Sequence, residues 1–305
     1  MKIGIALGGG GAKGYAHIGV LKTFKQYGIE CEVVAGTSIG ALIGAAYATD
    51  HLDEIEKFAL EIKLKKVPAL LNPAWRLNGL FSGKHAFDLM MEIFQVERIE
   101  DIQKIFGCVA VDITNVAPVY FTQGDLRTAL RASSAIPGIF TPVVIEDKTL
   151  VDGGLVQPVP VALAKNLGAD FIIAIDLFGS DRHFKSFTFT ENILPEKINM
   201  FFEFLTAWSK KIFKHKKYHR QHTTHQERKM INLIEILINT SWVSHLALTE
   251  ANFKECVPDF ILRPTLAKIG IMDFHKAEEG IAAGVQIATA MIPGIKASLE
   301  NLSRR

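Results

Sequence analysis

Cysteine is scarce. Cys31, Cys108 and Cys256 are the only three in 305 residues, odd in number and scattered, with neither CxxC nor Cys/His metal spacing. They read as buried thiols of a reducing compartment, and a disulfide framework is excluded. Long apolar runs are missing as well. The longest stretch free of Asp, Glu, Lys and Arg covers 33–49 and is interrupted by Gly and Ser. It falls short of the ~20 apolar residues of a membrane span, so no transmembrane helix is expected. The N-terminal run MKIGIAL ends in glycines with no small-residue cleavage site, which argues against a secretory signal and for a cytoplasmic location. Internal repeats are lacking. With 49% apolar and 22% charged residues, disorder and collagen are excluded, and at ~150 residues per domain the length allows one large or two ordinary domains.

Net charge is +2, but basic residues are unevenly spread. Between Lys210 and Lys229 eight Lys or Arg stand against one acid, Glu227, which marks this segment for an anionic partner.

Short aliphatic runs at 3–7, 31–35, 106–113, 117–122, 142–145, 149–151 and 170–177 alternate, for the most part, with stretches at helical spacing. Ser82 is placed to cap a helix through Phe94. Residues 64–80, with two prolines and several exposed-looking apolars, read as a loop or cap. DFILRP at 259–264 predicts one more strand and 275–301 a closing helix. Strands alternating with helices predict an α/β fold: a mostly parallel central sheet with helices on both faces, in three α/β/α layers. One catalytic domain over 1–305 is expected, with a core at 1–178, a basic amphipathic insert at 179–230, and C-terminal helices with a returning strand at 231–305.

Three strings carry chemistry. The first is Gly36-Thr37-Ser38-Ile39-Gly40, a GxSxG between a predicted strand and a predicted helix. The turn is so tight that small residues are needed two before and two after the serine, which lifts the Ser38 hydroxyl out at the carboxyl edge of the sheet and onto a helix N-terminus. A plain strand-to-helix turn with a serine cap is the competing reading.

The second, Gly8–Gly14, follows the first strand and contains GxGxxG as Gly9, Gly11 and Gly14. A dinucleotide site would require an acid at the carboxyl end of the second strand, where GTSIG stands instead. A P-loop would require Ser or Thr after Lys13, where Gly14 stands. Consecutive glycines can also turn backbone N–H groups toward one point as an oxyanion hole, for which Gly10 and Gly11 are the candidates. Lys13 adds positive charge there or is merely solvated.

The third is Asp152-Gly153-Gly154 after a short aliphatic strand, which reads as an acid exposed near Ser38 or as an Asp-Gly hairpin turn. No histidine is an obvious base: His17 lies in a predicted helix, and His183 and the histidines at 215–225 lie in or beside the basic insert.

Together the strings resemble the patatin-like phospholipases, in which a glycine-rich loop, a GxSxG elbow and an Asp-Gly-Gly or Asp-Gly-Ala motif occur in this order. The resemblance covers residues 2–177, including AHIGVL at 16–21 and ASSAIPGIF at 132–140, and is looser beyond. It implies that Ser38 is the nucleophile of an acyl hydrolase, that Asp152 is its partner in a dyad without histidine, and that the loop Gly9, Gly10, Gly11, Ala12, Lys13, Gly14 is the oxyanion hole. Lys13 stands where many members have Arg. The expected substrate is a lipid ester, with neither metal nor organic cofactor. A non-enzymatic lipid-binding protein, a thioesterase and a small-ester esterase are the alternatives.

In the insert, Phe201, Phe204, Leu205, Trp208 and Ile212 form one apolar helical stripe followed by KHKKYHRQHTTH. An anionic membrane surface is the expected partner of 198–229, held peripherally on the inner face. The other reading packs the stripe on the core or on a second copy of the chain. His215, His219, His222 and His225 raise a metal site without carboxylate or cysteine companions, and no nucleic-acid recognition fold accompanies the charge.

Overall fold

The computed structural model describes residues 1–63, 67, 71–76, 79–179 and 233–303. The basic stripe, its histidine run and His183 lie outside the described residues, as does most of 64–70.

An eight-stranded mixed sheet organises the chain. β1 (Ile3–Leu7), β2 (Val33–Thr37), the N-terminal half of β5 (Ile105–Asp112), β9 (Phe171–Ile175) and β10 (Phe260–Leu262) run parallel in the order β10-β9-β1-β2-β5. Along the C-terminal half of β5 the pairing turns antiparallel: β8 (Lys148–Asp152), followed by β7 (Val143–Ile145), takes the edge of β5 that β2 leaves free, and β6 (Ala117–Phe121) returns along the other edge as a hairpin. A separate hairpin joins β3 (Pro73–Arg76) and β4 (Gly79–Phe81), inside the stretch expected to be irregular.

Period-two alternation sorts the strand residues onto two faces. Ile5, Leu7, Val34, Phe106, Cys108, Ile173 and Ile175 enter the larger core, beneath α1 (Tyr15–Gln26), α2 (Ile39–Ala48), α3 (Leu52–Glu61), α4 (Lys84–Phe94) and α8 (Ala277–Ser303). Ala6, Ala35, Val109, Ile172 and Ala174 enter a smaller core under α6 (Val161–Asn166) and the end of α7 (Leu233–Glu255). α5 (Leu126–Ser133) packs on β5 and β8. The expected helix-covered sheet is therefore present, with antiparallel strands occupying one side of it.

Two details differ from the sequence reading. α4 begins at Lys84 after Gly83 in the left-handed region, and the Ser82 hydroxyl only accepts a long 3.4 Å bond from the Lys84 amide. Cys31 and Cys108 are buried thiols, whereas Cys256 is half-buried. The β9–β10 end is tied by Asp176, whose carboxylate accepts from Arg263 Nε at 3.0 Å and from the amides of Phe178 and Gly179.

The 26 residues Ala277–Leu302 are long and apolar enough to cross a membrane by length and composition. In this fold they lie against α1 through small residues. A Cβ at Gly284 would sit 2.0 Å from the Ala16 carbonyl oxygen, and one at Gly19 would sit 2.1 Å from that of Ile281. Backbone meets backbone there, and neither helix can yield locally. Gly284→Ala is therefore expected to destabilise the protein by about 1–3 kcal/mol in urea unfolding. Gly294→Ala in the same helix, whose nearest neighbour would be 3.5 Å away, should be neutral or stabilising by about 0.5–1 kcal/mol. Equal effects of the two changes would contradict this packing.

Candidate active site

β5 presents one edge to two different strands. Val109 pairs with Tyr120 of β6 and with Thr37, the last residue of β2. Ala110 pairs with Val119 of β6 and with Asp152, the last residue of β8. β6 occupies one edge over Cys108–Asp112, where it is opposite both β2 and β8, so these two share the other edge. β2 is parallel to β5 and β8 antiparallel, so they run toward each other and stop at neighbouring positions. Ser38 and Asp152, 114 positions apart in sequence, are thereby delivered to the same point.

The elbow is built as GxSxG demands. Ser38 has φ 57° and ψ −124°, a conformation that costs about 1–3 kcal/mol for a side chain with Cβ. A Cβ at Gly36 would lie 2.4 Å from the Ala41 Cα, and one at Gly40 would lie 2.1 Å from the Leu7 carbonyl oxygen. Only glycine fits either place. Surrounding bonds hold the strained turn. The Ser38 amide donates to Ser133 Oγ at 2.9 Å, its carbonyl accepts from Ala41 N, and Thr37 Oγ1 donates to the Gln157 carbonyl. Ile39 packs so closely on Gly14 that a Cβ there would come within 2.4 Å of it.

The glycine loop crosses directly above the elbow, with the Cβ position of Gly9 3.4 Å from Ser38 Cβ. Its amides divide into two groups. Gly8 N donates to Ile175 O, Gly9 N to Pro158 O, Ala12 N to Ile271 O and Lys13 N to Gly10 O. Gly10 and Gly11 are left as loop amides with no backbone acceptor among the described residues. His17 Nε2 donates to the Gly8 carbonyl at 2.8 Å and anchors the loop's start, and burial lowers its pKa to about 4. Lys13 is buried. Its ammonium donates to the Leu266 carbonyl at 3.1 Å and lies 5.1 Å from the centre of the Phe178 ring. This side chain is neither solvated nor a lining of either pocket below.

Asp152 is buried at 7% exposure. Oδ1 accepts from the Gly154 amide at 2.8 Å, while Oδ2 has no hydrogen-bond partner among the described residues. Burial raises the carboxyl to about 6, against the opposing pull of the Ser38 hydroxyl and the Gly154 amide. Ser38 is thus near enough to act on the carboxylate, yet no bond of ordinary geometry is formed to Oδ2. Gly153 lies flat on β5, where a Cβ would meet the Val109 carbonyl oxygen at 2.2 Å.

Two hollows meet at Ser38. One, of about 100 Å³, is almost wholly apolar and runs between α2, α3 and α4, lined by Leu42, Ile55, Phe58, Phe87, Met90 and Phe140. The other is a smaller crevice whose lining mixes the polar groups of Asp152, Trp242 and His245 with Gly9, Gly154 and the apolar Ile136. Sequence reasoning missed Ser133, which holds the Ser38 amide, and both Trp242 and His245, which reach the crevice from α7. No local signal announces them, since a single histidine within a helix has no motif.

A strained serine elbow, a glycine loop and a buried acid thus meet at one point of a helix-covered sheet, and comparison with known proteins identifies the family. Residues 5–165 match the patatin-like phospholipase family model, and the chain belongs to that family. It is 35% identical over 180 residues to an uncharacterized NTE family protein of Mycobacterium tuberculosis, covering 59% of this chain and 50% of that protein. It is 31% identical over 215 residues to lysophospholipase nte1 of Aspergillus fumigatus, covering 68% of this chain and 14% of that protein. It is 28% identical over 298 residues to patatin-like phospholipase domain-containing protein 6 of Mus musculus, covering 96% and 20%. The chain thus spans half or less of the length of these relatives. VipD from Legionella pneumophila aligns with 96% of this chain and 66% of its own at TM-score 0.49 and 11% identity.

The buried acid is a stability cost at neutral pH. Its folded pKa stands above the unfolded value of 3.8, so the folded state binds the proton more tightly. Stability from this group is therefore present below pH ~4 and lost as pH rises through about 6, on the order of 3 kcal/mol. Asp152→Asn does not titrate. Its unfolding free energy should exceed wild type most above pH 7, with the gap closing toward pH 4. A gap independent of pH would contradict the burial of an ionised carboxylate.

Proposed function

We propose that the chain is a serine acyl hydrolase that cleaves fatty-acyl esters of phospholipids or lysophospholipids. The observation that carries this reading is the position of Ser38 at the junction of an apolar cavity and a second, smaller crevice that holds a buried carboxylate, whose Oδ2 has no partner among the described residues. An ester whose acyl chain fills the apolar cavity and whose alcohol lies in the crevice has its carbonyl carbon at Ser38. The names of the fungal lysophospholipase and the murine phospholipase-domain relative support the same substrate class.

The steps follow from the groups present. Ser38 Oγ attacks the carbonyl carbon while its proton passes to Asp152 Oδ2. A carboxylate raised to about 6 by burial is a stronger base than an exposed one and remains ionised at neutral pH. The amides of Gly10 and Gly11 donate to the developing oxyanion, each such donor being worth about 10²- to 10³-fold. Collapse expels the alcohol, which takes the proton from Asp152. Water, deprotonated by Asp152, then attacks the acyl-Ser38 ester and releases the fatty acid as Asp152 returns the proton to Ser38 Oγ.

Ser38→Ala is expected to abolish hydrolysis of long-chain lysophospholipid by the pure protein, and retained activity would overturn the assignment. For wild type, kcat/KM should be flat above pH 7 and fall tenfold per pH unit below a midpoint of about 6, since protonated Asp152 cannot act as base. A midpoint near 4 would indicate an exposed base.

A further inference from the structure

Unsatisfied polar atoms gather around the crevice. Of the seven buried side-chain N or O atoms without a partner among the described residues, three belong to crevice residues: Asp152 Oδ2, Trp242 Nε1 and His245 Nε2. Unpaired buried polar atoms are rare in folded proteins, and at His245 the unpaired Nε2 bears on which ring nitrogen carries the proton. Asp152 already has a role in the proposed reaction, whereas His245 has none.

His245 is 3% exposed and is held from three sides. Phe178 stacks edge-on at 4.8 Å between ring centres, and Trp242 tilts against it at 5.3 Å. The third side is the catalytic loops. The Cβ position of Gly9 lies 3.6 Å from His245 Cε1 and 3.4 Å from Ser38 Cβ. The Cβ position of Gly154 lies 3.4 Å from His245 Nδ1 and 3.0 Å from Asp152 Oδ1. Two glycines therefore keep open the space that separates the imidazole from the nucleophile on one side and from the carboxylate on the other.

The tautomer follows from hydrogen-bond accounting. A neutral imidazole has one N–H, and placing it on Nε2 would bury a donor with no acceptor, which costs about 1–3 kcal/mol. The proton belongs on Nδ1, at the edge turned toward Gly154 and Asp152. Burial keeps the ring neutral far into the acid range, lowering its pKa to about 3, so it cannot serve as the proton carrier near neutral pH. A neutral donor beside the reacting atoms can do one other thing, which is to stabilise negative charge on oxygen.

We propose that His245 is a further catalytic residue, whose Nδ1–H hydrogen-bonds the alcohol oxygen leaving from Ser38's acyl group and then the water oxygen that replaces it. This rests on the hydrolase reading above. During acylation the Ser38 Oγ–acyl bond forms and the acyl–alcohol oxygen bond breaks. The alcohol oxygen receives the proton that Asp152 took from Ser38, and His245 keeps its own proton throughout. During deacylation the same donor holds the water that yields its proton to Asp152.

A donor to the leaving oxygen matters in proportion to the charge that builds there. The test compares kcat/KM for a p-nitrophenyl ester and a glyceryl ester of one fatty acid in the full chain, as wild type, His245→Phe and His245→Gln. Phenylalanine fills the aromatic slot without a donor, and glutamine supplies an N–H. His245→Phe is expected to lose about 100-fold on the glyceryl ester and no more than about threefold on the p-nitrophenyl ester, with His245→Gln recovering most of the difference. The ratio of the two rates is independent of the fraction of each variant that is folded. Equal losses on both esters, or none, would overturn the proposal while leaving the hydrolase reading intact. A wild-type chain that cleaves neither ester would overturn both.

Discussion

The edge of β5 is the constraint on which the site depends. Two strands of opposite sense share it, and both end at neighbouring positions, β2 opposite Val109 and β8 opposite Ala110. A fully parallel sheet could not deliver two carboxyl termini to one point along a single edge. The antiparallel side of this sheet is therefore what brings the acid to the serine. The glycines follow from that convergence. Gly36, Gly40 and Gly153 each lie against backbone atoms at distances no Cβ tolerates, so the small residues are set by the closeness of the chain around Ser38.

That closeness also sets the chemistry. Asp152 is buried by the same elements that position it, and its raised pKa and empty Oδ2 are two consequences of one burial. In the proposed reaction a carboxylate replaces the histidine of a triad because the protein has made it a stronger base. The strained Ser38 backbone, the neutral His245 and the buried Asp152 are each unfavourable to the folded state and are held by the packed cores on either face of the sheet. Such local costs are characteristic of sites where geometry serves reaction.

The two motifs that carry Ser38 and Asp152 were legible because their geometry is local. GTSIG and DGG require particular small residues within five positions of each other, and the structure places Ser38 and Asp152 at the strand ends those strings predict. The strand runs were likewise readable from short aliphatic periods, down to β10 and the closing helix α8. The mixed sense of the sheet was not, since strand direction depends on pairings far apart in sequence. Lys13 looked like a surface or site cation, but the carbonyl of Leu266 and the ring of Phe178, more than 160 positions away, receive it in the interior. His245 was silent for the same reason: its meaning lies in a crevice assembled from five distant segments. The basic stripe at 198–229 keeps its compositional reading alone.

The convergence at Ser38 is tested most directly by a crystal structure of the protein after reaction with a long-chain alkyl fluorophosphonate. Phosphorus should be bonded to Ser38 Oγ, with the alkyl chain in the apolar cavity beside Leu42 and Phe87, the phosphoryl oxygen against the amides of Gly10 and Gly11, and Asp152 facing the opposite side. An adduct at another residue, or a chain lying outside that cavity with Asp152 remote from phosphorus, would contradict the account.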